Sequence, residues 1–230
     1  GDIAPHFDYK SSYNGKPALR MLKLKQRTVR QEIAHRLANA TGEVLPLIAG
    51  TIEPNPVLKH RVETLALPLN KLNETDVAAA RKEMEMWRNR YETEKKRLGA
   101  QPLPTGGRWY VAITGAYGRM LWNQGVIDRF ELQKTQPTRA EEIHVVRLGE
   151  VAFATNPFEY YLDYGIQIKA RSPATQTFLV QLAGSGSYVP SPRSVKGGGY
   201  GSLPASNPVG PEGGELLREK TLQFIREFWK

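Results

Sequence analysis

Between Glu150 and Tyr200 the chain changes hydrophobic period more than once, and that restricts the architectures open to it. Residues 143–148 and 151–155 are β-rich runs joined at Gly149-Glu150, the pattern of a tight hairpin. Residues 158–170 have helical character, with Pro157 at the first position and Asn156 able to cap. Residues 177–183 read as a buried strand, and a long loop of glycine, serine and tyrosine follows. Strand, strand, helix, strand in this order predicts an α/β fold: a mixed sheet flanked by helices, forming part of a layered α/β sandwich.

The rest of the chain reads as scaffold in one domain over residues 1–230. Helix is expected over 17–40, with Leu22, Val29, Ile33 and Leu37 on one side and Thr41-Gly42 as the stop. An extended strand is expected over 57–69. The clearest helix spans 73–98: Asn73 caps it, and Val77, Ala80, Met84, Trp87 and Tyr91 form one stripe. Residues 109–130 read as mostly helix, with Gly115 and Gly118 as packing positions. Residues 215–229 form a closing amphipathic helix.

Composition bounds the function classes. There is no cysteine, so disulfides, thiolate metal sites and thiol nucleophiles are excluded. His6, His35, His60 and His144 are widely separated, which gives no histidine-only metal motif. No apolar run reaches the roughly 18 residues of a membrane helix. The net charge of +9 suits an anionic membrane surface or an acidic partner. It concentrates on two predicted helices with no groove-reading motif, so nucleic acid is not the expected partner.

Three residues carry candidate chemistry. Glu159 is placed by this reading in the first helical turn, where the dipole keeps a carboxylate ionised and able to bind a cation. Asn-x-x-Glu is also an ordinary reciprocal cap. Tyr188 follows a Gly-Ser-Gly-Ser bend, where a phenol can hydrogen-bond, bind metal as phenolate, or simply pack. Tyr200 follows three glycines, and can donate to an oxyanion or anchor the loop.

At these residues the chain resembles the neutral (non-lysosomal) ceramidase family. Gly1-Asp2-Ile3-Ala4-Pro5-His6 is similar to that family's Gly-Asp-Val-Ser-Pro-Asn segment. Pro157-Phe158-Glu159, with Gly165 beyond, is similar to its Pro-Gly-Glu-Phe-Thr stretch. Tyr188-Val189-Pro190-Ser191, with Tyr200 twelve residues on, is similar to its Tyr-(Val/Ile)-Thr-Thr segment and later Tyr-Glu. The resemblance is closest over residues 140–230.

It implies the C-terminal portion of a zinc-dependent amidase that cleaves N-acyl bonds of a lipid or small amide. Glu159 and Tyr188 fall on metal positions, and Tyr200 on the tyrosine that polarises the scissile carbonyl. The family's two metal histidines lie upstream of the Gly-Asp segment, so the missing N-terminal portion is an implied partner and this polypeptide alone is expected to be inactive. The family setting implies a secreted or periplasmic protein with possible membrane-surface contact. Ala4 stands where the family has a serine associated with catalysis, and Pro190-Ser191 where it has Thr-Thr. Two rivals remain: a non-catalytic module that kept the fold, and a basic anion- or nucleic-acid-binding protein.

Overall fold

The computed structural model describes residues 15–100 and 102–230. The 1–6 segment compared above, with Ala4, lies outside the described residues. Two compact units are present, one ending at Val57 and one running from Leu58 to Lys230.

In the first unit, α1 (Gly15–Leu24) and α2 (Val29–Ile48) replace the single helix expected over 17–40. The break is local. Gln26 takes a left-handed backbone, φ 52°. Thr28 then restarts the helix with a capping box, its hydroxyl accepting from Gln31 N while the Gln31 side chain accepts from Thr28 N. Thr41 does not stop α2, because its hydroxyl donates to the Leu37 carbonyl inside the helix. Glu32 is buried and met by Lys25, Arg27 and Arg36 at 2.9–3.1 Å. Hydrogen bonds from Lys25 and Arg27 outweigh desolvation and hold its carboxyl down at about 2.

The second unit contains the sheet. Strands β1 (Leu58–Pro68), β2 (Thr138–Leu148) and β3 (Val151–Thr155) form an antiparallel meander. Gly149 turns the β2–β3 hairpin at φ 56°, a left-handed conformation that favours glycine. After β3 come β4 (Glu159–Tyr160), α5 (Leu162–Arg171) and β5 (Gln176–Val180), and β5 pairs parallel to β3. The order β1-β2-β3-β5 makes the fold α/β with a mixed sheet, as the period changes predict.

One face of this sheet carries the core. Leu65, Leu67, Ile143, Val145, Ala152 and Ala154 alternate inward and meet α5 and the long helix α7 (Pro211–Phe228), whose Leu217, Leu222, Phe224 and Ile225 are buried. Each buried Val, Leu, Ile or Phe among them contributes about 1.5–3 kcal/mol of transfer free energy. On the other face Val62, Phe178 and Val180 stay exposed, and Phe153 stacks on Phe178 at 5.1 Å. His60 and His144 stack there too, with ring nitrogens 3.0 Å apart.

Between β1 and β2 the chain makes two long helices, α3 (Glu74–Gly99) and α4 (Val111–Leu132), which pack on each other. Asn73 caps α3 by accepting from Thr75 N and Asp76 N. Ala80 of α3 and Val126 of α4 share a small core with Leu72, edged by Ala205 from a distant loop.

Candidate functional site

The loop after β5 is not featureless. It contains β6 (Tyr188–Val189), α6 (Pro192–Gly197) and a 3-10 turn at Tyr200–Ser202. Strand β6 pairs parallel with β4, and Glu159 and Tyr188 are register partners.

Glu159 is therefore in a strand, which corrects the expected helix start at Pro157. Asn156 does turn the chain, accepting from Phe158 N at 3.0 Å. The turn leads into extended backbone because Phe158 and Tyr160 are both buried, at 0 and 1 %, while Glu159 between them is half-exposed. That is a period of two. The helix begins only at Leu162, so the carboxylate in its first turn is Asp163 and the dipole argument for Glu159 does not apply.

Two glycines set the spacing. A Cβ on Gly186 would lie 2.0 Å from the Pro157 carbonyl oxygen, so only glycine lets the bend before Tyr188 close against the 156–158 turn. A Cβ on Gly201 would lie 2.3 Å from the Tyr161 hydroxyl and 3.0 Å from the Tyr188 ring. Backbone bonds complete the frame: Glu159 N donates to Ser187 O at 3.1 Å, and Tyr188 N to Ser206 O at 3.3 Å. The Ser206 hydroxyl donates to the Tyr200 carbonyl at 2.8 Å.

All three predicted residues come together. The Tyr200 ring stands edge-on to the Tyr188 ring at 5.7 Å, and Tyr161 stands edge-on to Tyr188 from another side at 6.4 Å. Burial pushes the Tyr188 phenol above its ordinary value, and the neighbouring Glu159 carboxylate adds to this. At neutral pH the phenol beside Glu159 thus keeps its proton. A divalent cation between them would draw off that proton, as ligand deprotonation accompanies metal binding. Among the described residues no three His, Asp or Glu side chains cluster to hold a metal, so the donors here are one carboxylate and one phenol. Two nearby hydroxyls, that of Ser187 beside Tyr188 in sequence and that of Ser202 two residues past Tyr200, are buried without a hydrogen-bond partner.

Sequence reasoning missed the neighbours from α4. Trp122 stacks on Tyr200 with ring centroids 5.7 Å apart and planes 27° from parallel. Gly115, Gly118, Arg119 and Trp122 line a shallow recess of about 340 Å³ beside Tyr200. Their spacing of three, four and seven along a helix is the signal that could have identified one shared face. Arg129, also on α4, ties the helix to the loop below Tyr200 by donating to Pro204 O at 2.5 Å and Asn207 O at 3.3 Å. Comparison of the chain with family models, curated proteins and solved structures returned no match.

Proposed function

We propose that this chain forms one side of the active site of a ceramidase-like hydrolase of amide (N-acyl) bonds, as the C-terminal portion of its catalytic domain. The observation that carries this reading is the in-register placement of Glu159 beside Tyr188, with Tyr200 against the Tyr188 ring. Water would add its oxygen to the acyl carbon, the C–N bond would break, and the amine would leave with a proton.

The donors present fit half of a four-coordinate zinc site. Glu159 supplies the negative charge, and Tyr188 supplies an oxygen once it gives up its proton. The remaining ligands would be the two upstream histidines implied by the resemblance. Zinc, when bound, would supply Lewis-acid activation of water and carbonyl. Tyr200 donates its hydroxyl toward the carbonyl oxygen, where developing negative charge is stabilised most by a pre-positioned donor. Trp122 holds the Tyr200 ring from one side and Tyr188 from another, which limits the directions that hydroxyl can take. A lipid or small amide substrate and an extracytoplasmic setting belong to the same reading.

The test measures zinc content and N-acyl hydrolysis for the 230-residue chain and for a longer protein carrying the upstream histidines. The chain alone should hold zinc weakly and be inactive. The longer protein should bind one equivalent and turn over, and Glu159→Gln should remove both properties. Zinc-dependent hydrolysis by the isolated chain would overturn the half-site. Unchanged zinc and turnover in the Glu159→Gln longer protein would remove Glu159 from it.

A further inference from the structure

A second cleft adjoins the Tyr200 recess. It has a volume of about 400 Å³ and lies between α3, α4 and the 203–205 segment. Arg119 and Trp122 line both spaces, so they form the wall where the two meet. A volume of this size lies within the range of about 300–1,000 Å³ occupied by small-molecule sites.

What the cleft offers a ligand follows from how its polar groups are used. Asp76 accepts from Asn73 N at 3.0 Å in the α3 capping box, and Glu83 accepts from Trp87 Nε1 at 3.2 Å. Asn123 donates to Arg119 O at 2.9 Å. The rest of the lining is apolar: Ala79, Ala80, Val126 and the Trp122 indole, closed by Leu203. Hydrocarbon is what such a wall accepts.

Arg119 is the exception. Its guanidinium sits over the Trp87 ring at 4.9 Å, and among the described residues it makes no ion pair and no side-chain hydrogen bond. Stacking satisfies the face of a guanidinium and leaves its N–H edge free for a planar anion. A cation with an open edge, at the mouth of a mostly apolar cleft whose Asp76 and Glu83 carboxylates each accept a bond from α3 or its cap, suits a ligand with an anionic head and a hydrocarbon arm.

We infer that the cleft binds an amphipathic carboxylate, with its hydrocarbon arm between α3 and α4 and its carboxylate paired to Arg119. The identification of that ligand as an arm of the substrate rests on the proposed function. It would make the substrate an amide that also bears a carboxylate, such as an N-acyl amino acid. The binding itself does not depend on hydrolysis.

The full 230-residue chain is titrated calorimetrically with octanoate, with neutral octanamide, and with acetate, which lacks the arm. Octanoate should bind saturably, and the other two at least about tenfold more weakly, since a charge-assisted contact and arm burial each exceed about 1.4 kcal/mol. Arg119→Gln should reduce octanoate to the octanamide level without changing octanamide. Arg108→Gln, an exposed charge elsewhere, should change neither. Ala79→Trp, at an exposed lining position, should weaken octanoate and octanamide together while far-UV circular dichroism stays unchanged. Octanoate binding that is absent from the folded chain, or indifferent to Arg119→Gln, overturns the inference. Arg119-dependent binding with no hydrolysis in the longer protein would instead leave the inference standing and remove the hydrolase reading.

Discussion

Eleven residues of β1 pair with eleven of β2, whereas β4 and β6 bring two residues each. The long ladder belongs to a sheet with a continuous apolar face under α5 and α7. The short one has too few bonds of its own to persist in water. It is held from outside, by the Pro157–Gly186 contact, by the turn at Gly201 beneath Tyr161 and Tyr188, and by the Ser206 carbonyl, which accepts from Tyr188 N. The sheet is thus secured by many interchangeable contacts and the Glu159–Tyr188 pair by a few that nothing else can replace. Damage to the first should appear as lost stability, and damage to the second as lost geometry.

Phe158 joins the two regions, since it is fully buried in the sheet core and immediately precedes Glu159. Phe158→Ala should cost about 3–5 kcal/mol in denaturant unfolding, the largest effect expected here. A loss below that range would mean that the turn can collapse into the vacated space, and that the two regions are less coupled than the burial indicates.

Gly186→Ala comes next. The added methyl meets backbone, not a flexible side chain. Overpacking of this kind costs about 1–3 kcal/mol. Near-ultraviolet circular dichroism should change out of proportion to that loss, because Tyr188, Tyr161 and Tyr200 move together. A stability loss with an unaltered tyrosine signal would break the distinction drawn above.

Glu159→Gln should do least to stability and most to titration. The Tyr188 phenol is held up by burial first and by Glu159 second. Removing the carboxylate should bring its midpoint down part of the way toward 10, read from ring resonances in an NMR pH series. A phenol whose pKa is raised in the folded state contributes fully below its unfolded value, and that contribution is lost as pH rises through the folded one. Glu159→Gln should therefore make that loss smaller and end it at lower pH. A midpoint unmoved by the substitution would separate the two side chains.

The sheet was legible because its signals are local. Alternation marks β1 and the β2–β3 hairpin, Gly149 marks the turn, and Asn73 with Asp76 marks the start of α3. The site was legible only in its membership. Asn156-Pro157-Phe158-Glu159 has every local mark of a helix start, and loses to the burial of Phe158 and Tyr160 and to pairing with a strand not yet reached in sequence. The same limit hid Trp122. Nothing near it in sequence says that Tyr200 will stack on it, because that contact joins a helix to a loop across most of the fold. In the first unit the expected stop at Gly42 failed for the converse reason: a local mark was present, and Thr41 spent its hydroxyl inside the helix.

The Tyr160 hydroxyl donates to Gly214 O at 2.5 Å, and Tyr164 donates to Pro190 O at 2.9 Å. Both clasp the site from behind, and the first reaches into α7, which the ribosome makes after every strand. A nascent chain stalled before residue 214 lacks both this clasp and the α7 side chains that cover the sheet, so the last helix made closes the sheet core and the Glu159–Tyr188 pair in one step.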